Sequence, residues 1–286
     1  MPTSLPTELV IAIIVEAAEL FVADDRATVL SLAKAGRYIF TLVRPILLRR
    51  VFITDANHLQ VNDVLANRQA GALVLDLNIA SNLWKATPEA VNCLKNLSCI
   101  RGISDTIEIF ISLLPVLDRA PLRDVQLWDE ALIQDMPVTV THVCLYAGEL
   151  HDPPLDYMVS WLRSMSSITH IGVEIVSRRD NPINLSPEDL AHGLATVLFS
   201  GGLRLQRIAV RVCGELSNDR PWELLLAVLK SWSSTSEMVA MQADRRVALW
   251  RDRRIFEDWK DDVQAGIDDP VAGTDIWSSA SLLAEW

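Results

Sequence analysis

A short rhythm recurs through this 286-residue chain: an apolar residue, two free positions, an apolar residue, one free position, a third apolar residue. Copies stand at Leu48/Val51/Ile53, Ala72/Leu75/Leu77, Leu122/Val125/Leu127, Val140/Val143/Leu145, Ile168/Ile171/Val173 and Leu205/Ile208/Val210, with a weaker one at Leu97/Ile100/Gly102. Successive starts lie 24, 25, 25, 18, 28 and 37 residues apart. Alternation at the end of each copy puts one face of a short strand against a core. No such unit covers its own apolar side, so neighbours must stack and the two ends need caps.

Helix signals fill the gaps. Thr87-Pro88-Glu89 opens one helix, with Thr87 as cap and Pro88 at the first position. Thr106–Leu117 and Asp156–Met165 are two more, the latter carrying Tyr157, Met158, Trp161 and Leu162. Ser186-Pro187-Glu188-Asp189 resembles a capping box for a helix to Phe199, stopped by Gly201-Gly202, and Trp222–Trp232 follows Pro221 on the same plan. Strands alternating with helices at this spacing predict an α/β chain with a parallel sheet wound as a solenoid. The residues between the apolar positions then face outward on the concave side. Asp124, Gln126, His142, Cys144, His170, Gly172, Glu174, Arg207, Ala209 and Arg211 form this row. Asp124, Gln126, His142, His170, Glu174, Arg207 and Arg211 are the candidate target-binding residues; the plainer reading is a solvated sheet face.

The opening stretch obeys a different period. On a helix, Leu9, Val10, Ile13, Ile14, Ala17, Leu20 and Phe21 make one wide apolar stripe, and Ile11, Val15, Ala18 and Val22 make a second beside it. Glu8, Ala12, Glu16 and Glu19 share the remainder. An ordinary surface helix needs an apolar stripe of a little over ~100°. A helix with about twice that is covered on two sides, by its own chain or by a partner. Pro6 suits the first turn. Two more helical segments follow, Ala27–Ala35 and Tyr38–Leu48, separated by a stop at Gly36 and with a kink or restart expected at Pro45.

The sequence "LPTEL" at 5–9, the apolar helix after it and "RPILLRRVFI" at 44–53 resemble an F-box. The rest of the chain is similar to F-box proteins with degenerate leucine-rich repeats, abundant in basidiomycete fungi. "RIFEDWKDDVQAGIDDPVAGTDIWSSA" at 254–280 looks like the acidic, Trp-bearing tail that such proteins carry. The resemblance touches both ends and reaches the middle through the repeat rhythm. The family's Trp or Phe late in the box is replaced here by the Tyr38-Ile39-Phe40 neighbourhood and by Leu48.

The resemblance implies three parts: an F-box-like helical unit at 1–50, a leucine-rich-repeat-like solenoid at 51–246, and an acidic, Trp-rich C-terminal cap at 247–286. It implies docking on the adaptor subunit of a cullin–RING ubiquitin ligase, with a protein target held by the solenoid, in cytoplasm or nucleus. Leu5 and Pro6 would touch the adaptor, with Leu9, Ile11, Val15 and Ala18 of the first helix. Helix-in-groove binding needs such an apolar face. In the alternative reading Ile11, Val15 and Ala18 pack inside the chain, and the unit only caps a non-enzymatic repeat scaffold. For Trp250, Trp259, Trp277 and Trp286, a packed terminal cap with satisfied indole N–H groups is favoured over a ligand cage.

Composition narrows the partners. Half the chain is apolar and 22% is charged, enough for a sizeable core. A net charge of -11 opposes a general nucleic-acid footprint. Only Arg245, Arg246, Arg251, Arg253 and Arg254 cluster, and acids follow them directly. Leu9–Val15, the longest early apolar run, is too short to span a membrane, and no cationic segment precedes it as in a secretory signal. Cys93, Cys99, Cys144 and Cys213 lack C-x-x-C spacing and are expected as free buried thiols. Phosphate-loop, dinucleotide, serine-hydrolase and H-E-x-x-H motifs are missing, so neither enzyme activity nor a cofactor is expected. His142 and His170 fall in register on adjacent strands with Cys144 nearby, too few ligands for a structural zinc site. Asp261-Asp262 and Asp268-Asp269 lack a calcium-loop register and read as a solvated acidic tail.

Overall fold

The computed structural model describes residues 6–22, 25–114, 122–127, 133, 136–146, 155–177, 204–214, 223, 227, 246–251 and 276–282. The first part is helical: α1 (Thr7–Phe21), α2 (Arg26–Lys34) and α3 (Arg37–Arg49). Pro6 sits just before α1, where its carbonyl accepts from the Leu9 and Val10 N–H groups. Asp25 caps α2 by accepting from the Thr28 N–H at 3.0 Å. Gly36 lies at the start of α3 in extended backbone, so it separates the two helices without the left-handed stop geometry. α3 runs unbroken through Pro45, where a kink or restart was expected. One backbone hydrogen bond is lost there, and the buried Val43, Ile46 and Leu47 around it hold the helix by packing.

These helices share a small core of Ala18, Val29, Ala33, Val43, Ile46 and Leu47, flanked by Ile14, Val15, Val22, Leu32 and Ile39. Arg26 donates to the Leu47 carbonyl at 2.8 Å, near the open C-terminal end of α3. Glu19 and Arg49 pair at 2.6 Å, partly in solvent, which contributes little. α3 then passes straight into the first strand.

The remainder is an α/β array. Among the described residues nine strands form one sheet in simple sequence order: β1 (Arg50–Ile53), β2 (Asp76–Ile79), β3 (Cys99–Gly102), β4 (Asp124–Leu127), β5 (His142–Tyr146), β6 (His170–Ser177), β7 (Arg207–Gly214), β8 (Val247–Arg251) and β9 (Ser281–Leu282). β1 to β8 pair in parallel, and β9 joins β8 antiparallel. Parallel neighbours cannot be joined by a tight hairpin. The described crossovers carry α4 (His58–Leu65), α5 (Arg68–Gly71), α6 (Pro88–Cys93), α7 (Ser104–Leu113) and α8 (Leu155–Ser164). The Thr87 hydroxyl caps α6 by accepting from the Ala90 N–H, with Pro88 in the first turn. α7 starts two residues before the expected Thr106, and α8 follows the pattern closely. The helices expected at 186–199 and 222–232 fall outside the described residues, isolated positions apart.

The register aligns Val51, Leu77, Ile100, Val125, Val143, Ile171, Ile208 and Val247 in one row and Ile53, Ile79, Gly102, Leu127, Leu145, Val173, Val210 and Leu249 in the next. These rows pack on Val61, Leu65, Val91, Ile107, Phe110, Trp161 and Leu162 of the helices in one continuous core. Two expectations are corrected here. The second copy of the rhythm is Val74/Leu77/Ile79, two residues later than Ala72/Leu75/Leu77. Leu73, Val74, Leu75 and Leu77 make both phases apolar, and burial chooses the later one. Val247–Arg251, assigned to the terminal cap, is a further parallel strand of the sheet. No helix among the described residues is long and apolar enough to cross a membrane.

Candidate functional site

Two surfaces stand out: the face of the sheet away from the helices, and the outer side of α1. On the sheet, the residues that alternate with the core rows align as Arg50, Asp76, Cys99, Asp124, His142, His170 and Arg207 in one row. The next holds Phe52, Asn78, Arg101, Gln126, Cys144, Gly172, Ala209 and Ala248. Tyr146, Glu174, Arg211 and Trp250 follow. This is the row expected to be open to a target. It is largely buried: Asp76, Asn78, Arg101, Gln126, His142, Glu174 and Arg211 each keep less than a tenth of their surface, while Asp124, His170 and Arg207 are half-buried.

Over β4 to β8 the covering is a C-terminal segment of the chain itself. The helical turn Ile276–Ser279 and β9 bring Ile276 and Ala280 onto Cys144, Ala209 and Ala248, with Trp250, Trp277 and Leu282 at the margin. The Trp277 indole N–H donates to an Asp124 carboxylate oxygen at 3.0 Å. His142 and His170 stack face to face, ring centroids 3.9 Å apart and planes 11° apart. Trp277 meets both edge-on, at 5.2 and 5.9 Å. Arg207 donates to the Ala280 carbonyl at 2.7 Å. Gly172 lies beneath: a Cβ there would stand 2.8 Å from the Cys144 sulfur and 3.2 Å from the indole carbon Cζ/Cη edge, so only glycine leaves the notch open.

The histidines are held neutral. Burial pushes His142 down to about 3, helped by His170 and the Arg123 guanidinium. Burial also lowers His170, with Arg123 and Arg207 adding to it. Nδ1 of each ring sits 2.8 Å from the hydroxyl of the preceding threonine, Thr141 or Thr169. Arg123 can only donate, so the His142 Nε2 that it approaches at 3.5 Å is the acceptor and Nδ1 carries the proton. Both nitrogens of His142 and Nδ1 of His170 are thus engaged with the protein. Among the described residues no group of three or more His, Cys, Asp or Glu side chains is placed to hold a metal ion.

Charges along the rest of the face are paired. Glu174 accepts from Arg211 at 2.7 Å and from Gln126 at 3.1 Å, and the Arg211 guanidinium lies over the Trp250 ring at 4.7 Å. At the other end Asp76 accepts from Arg50 at 2.8 Å and from Asn78 at 3.2 Å, with Arg101 at 3.4 Å. Cys93, Cys99 and Cys144 are buried free thiols, and burial beside Asp76 holds the Cys99 thiol well above its usual range. The indole of Trp277 therefore has its satisfied N–H, but on the face of the sheet. Trp259 and Trp286 lie outside the described residues. The outward row was legible in the sequence; that the chain would cover it was not, because nothing local ties residue 277 to residue 124.

The second surface is on α1. Leu9 (47% exposed), Val10, Ile13 (51%), Leu20 (67%) and Phe21 are open, with Leu30 of α2 and Tyr38 and Phe40 of α3 also exposed. The division between the stripes thereby differs from expectation: most of the first is open, with Ile14 packed on the core, and the second faces inward. Ala18 is fully buried, Val15 packs on the helical core, and Ile11 is half-buried. Ala18 cannot meet a partner directly. The small residue of the second stripe lets α1 approach α3 closely, whereas the bulkier first stripe is left over. Pro6 is exposed beside Leu9, and Leu5 lies outside the described residues. No protein-family model matches this chain, and no curated protein matches it either.

Proposed function

We propose that this chain is a substrate-receptor subunit of a cullin–RING ubiquitin ligase: an F-box-like helical unit that docks on the ligase adaptor, followed by an irregular leucine-rich-repeat-like solenoid that selects a protein target. The observation that carries this reading is the uncovered apolar stripe Leu9, Val10, Ile13, Leu20 and Phe21 on a helix whose opposite side is already buried. Clustered large apolar side chains left in water mark an interaction site. An amphipathic helix offering anchors at i, i+4 and i+11 fits a hydrophobic groove. The contact residues in this reading are Pro6, Leu9 and Ile13, with Leu5 before them; Ala18 and Val15 hold α1 to its own unit. The receptor has no chemistry of its own and acts in cytoplasm or nucleus.

Capture of the intact chain by the purified adaptor subunit tests the proposal. Binding at micromolar concentration is expected, lost on Leu9→Asp with Ile13→Asp while thermal unfolding stays unchanged. An intact chain that the adaptor fails to retain at that concentration sinks it.

A second reading, a repeat scaffold whose helical unit only caps the array, draws support from the join between the two parts. α3 continues into β1 without a linker, and the Leu75 N–H donates to the Arg49 carbonyl at 2.8 Å. Under that reading the same adaptor assay gives no capture.

A further inference from the structure

The sheet face between β4 and β8 is built to hold a tryptophan. Its components come from separate strands: the Asp124 carboxylate on β4 takes the indole N–H, and the stacked rings of His142 on β5 and His170 on β6 form a wall against which the indole packs. Gly172 supplies the notch, and Cys144, Ala209 and Ala248 form a floor of small side chains. Beyond the indole, recognition is by backbone. Arg207 holds a carbonyl, and β8 pairs with two residues of an antiparallel strand through Ala248↔Leu282 and Leu249↔Ser281. One aromatic anchor plus main-chain pairing at a sheet edge is the grammar of peptide recognition.

Among the described residues the occupant is a four-residue turn and a two-residue strand. It lies on groups that water solvates well once uncovered, His142, His170, Asp124 and Arg207, rather than on the aliphatic rows of the opposite face. Removing it uncovers the small floor together with Ile276, Trp277 and Leu282 of the segment itself.

We propose that this face is a receptor groove for a tryptophan-bearing segment of another protein, and that residues 276–282 occupy it in cis as a displaceable stand-in. The partner segment presents Trp in a single helical turn, small residues two and three places later, and then an extended pair that adds to the edge of β8. This deepens the receptor reading and rests on it only in calling the partner a target. Adaptor capture is read through α1 in a separate assay, so either reading can fail alone.

The test uses the full chain and a fluorescein-labelled peptide of residues 274–284, followed by anisotropy. Trp277→Ala empties the indole site while leaving every groove residue in place. The peptide is expected to bind this variant at least about tenfold more tightly than the wild-type chain, whose groove is filled. A peptide with its own tryptophan replaced by alanine should bind at least about tenfold more weakly than the parent. Adding Gly172→Val to the variant, which fills the notch, should abolish binding. The proposal is overturned if the folded Trp277→Ala chain ignores the peptide at about 100 µM, or takes the tryptophan-free peptide equally well. Should Trp277→Ala fail to give a cooperative unfolding transition, amide exchange on the wild-type chain decides. Peptide at about 1 mM, comparable with the effective concentration of a tethered segment, must speed exchange at 276–282 while β4 to β8 stay protected. Unchanged exchange there overturns it as well.

Discussion

The two faces of the sheet are made by alternate residues of the same strands, and the chain covers the first with helices and the second, over β4 to β8, with residues 276–282, yet the coverings differ in kind. Toward the helices, Leu77, Ile79, Ile100, Val125, Val143 and Ile171 pack on Leu65, Ile107 and Phe110. That contact is non-directional and scales with apolar area, roughly 25 cal/mol per Å². Toward the C-terminal segment an indole N–H on a carboxylate and a guanidinium on a carbonyl join a small apolar cluster of Ile276 and Ala280 on Cys144, Ala209 and Ala248. Each of the two hydrogen bonds has a good alternative partner in water, so the net gain per bond is only about 1 kcal/mol. The first face cannot be opened without exposing a core. The second is held by few apolar side chains at its margin, where Trp277 sits, and by sealed charges at Arg211 and Glu174.

The largest effect is expected at that sealed point. Glu174→Ala removes the carboxylate from Arg211, which has no exposed surface. Stripping one member from a buried ion pair costs ~3–5 kcal/mol, to be read from urea unfolding of the full chain. A loss below about 1 kcal/mol, the range of solvated pairs, would mean that water reaches the pair and that the whole polar face is open. On the other face, Ile100→Ala deletes side-chain atoms from a residue with no exposed surface. Its cost is ~2–5 kcal/mol with the unfolding slope unchanged. A much smaller loss there would erase the contrast between the faces.

Acid sharpens the comparison at intermediate size. His142 is held near 3 in the folded chain, chiefly by burial, and an unfolded histidine titrates near ~6.5. Between those values the unfolded chain binds a proton that the folded chain refuses. Stability on this account is full above pH ~6.5 and falls as the pH drops toward 3. His170, lowered for the same reason, adds in the same direction. The midpoint of thermal unfolding is therefore expected to fall between pH 7 and pH 5, and to fall less in His142→Gln. Equal slopes in the two proteins would show that the stacked rings are not what the acid acts on.

Most of the strand array was legible because its signal is local. Six of the seven copies of the rhythm, all but the one at Ala72 and including the weak Leu97/Ile100/Gly102, land in the register of the sheet. The copy at Ala72 slipped by two because a run of apolar residues leaves the phase to packing, and β8 was missed because no leading apolar residue announces Val247 and Leu249. α4 and α5 were missed as well; Asn57, Asn67 and Gly71 punctuate them, and eight and four residues are too short to show a clear period. The indole site was illegible for a different reason. Asp124 and Trp277 are 153 residues apart, and no pattern in a single sequence reports a pairing at that distance.

The smallest expected effect is on α1, where the same question of two faces recurs on one helix. Leu9 and Ile13 are about half exposed, and Ala18, on the far side, is fully buried against Val29, Val43 and Ile46. Leu9→Asp with Ile13→Asp places two charges in water, away from any cap or buried pair, and should change stability by no more than about 0.5 kcal/mol per site. Ala18→Asp puts a carboxylate into the apolar helical core, and costs several kcal/mol. Circular dichroism during thermal unfolding separates the two cases. If the outer pair destabilised the chain as Ala18→Asp does, that stripe would be packed in solution, and an uncovered helix face could no longer be an argument for a partner.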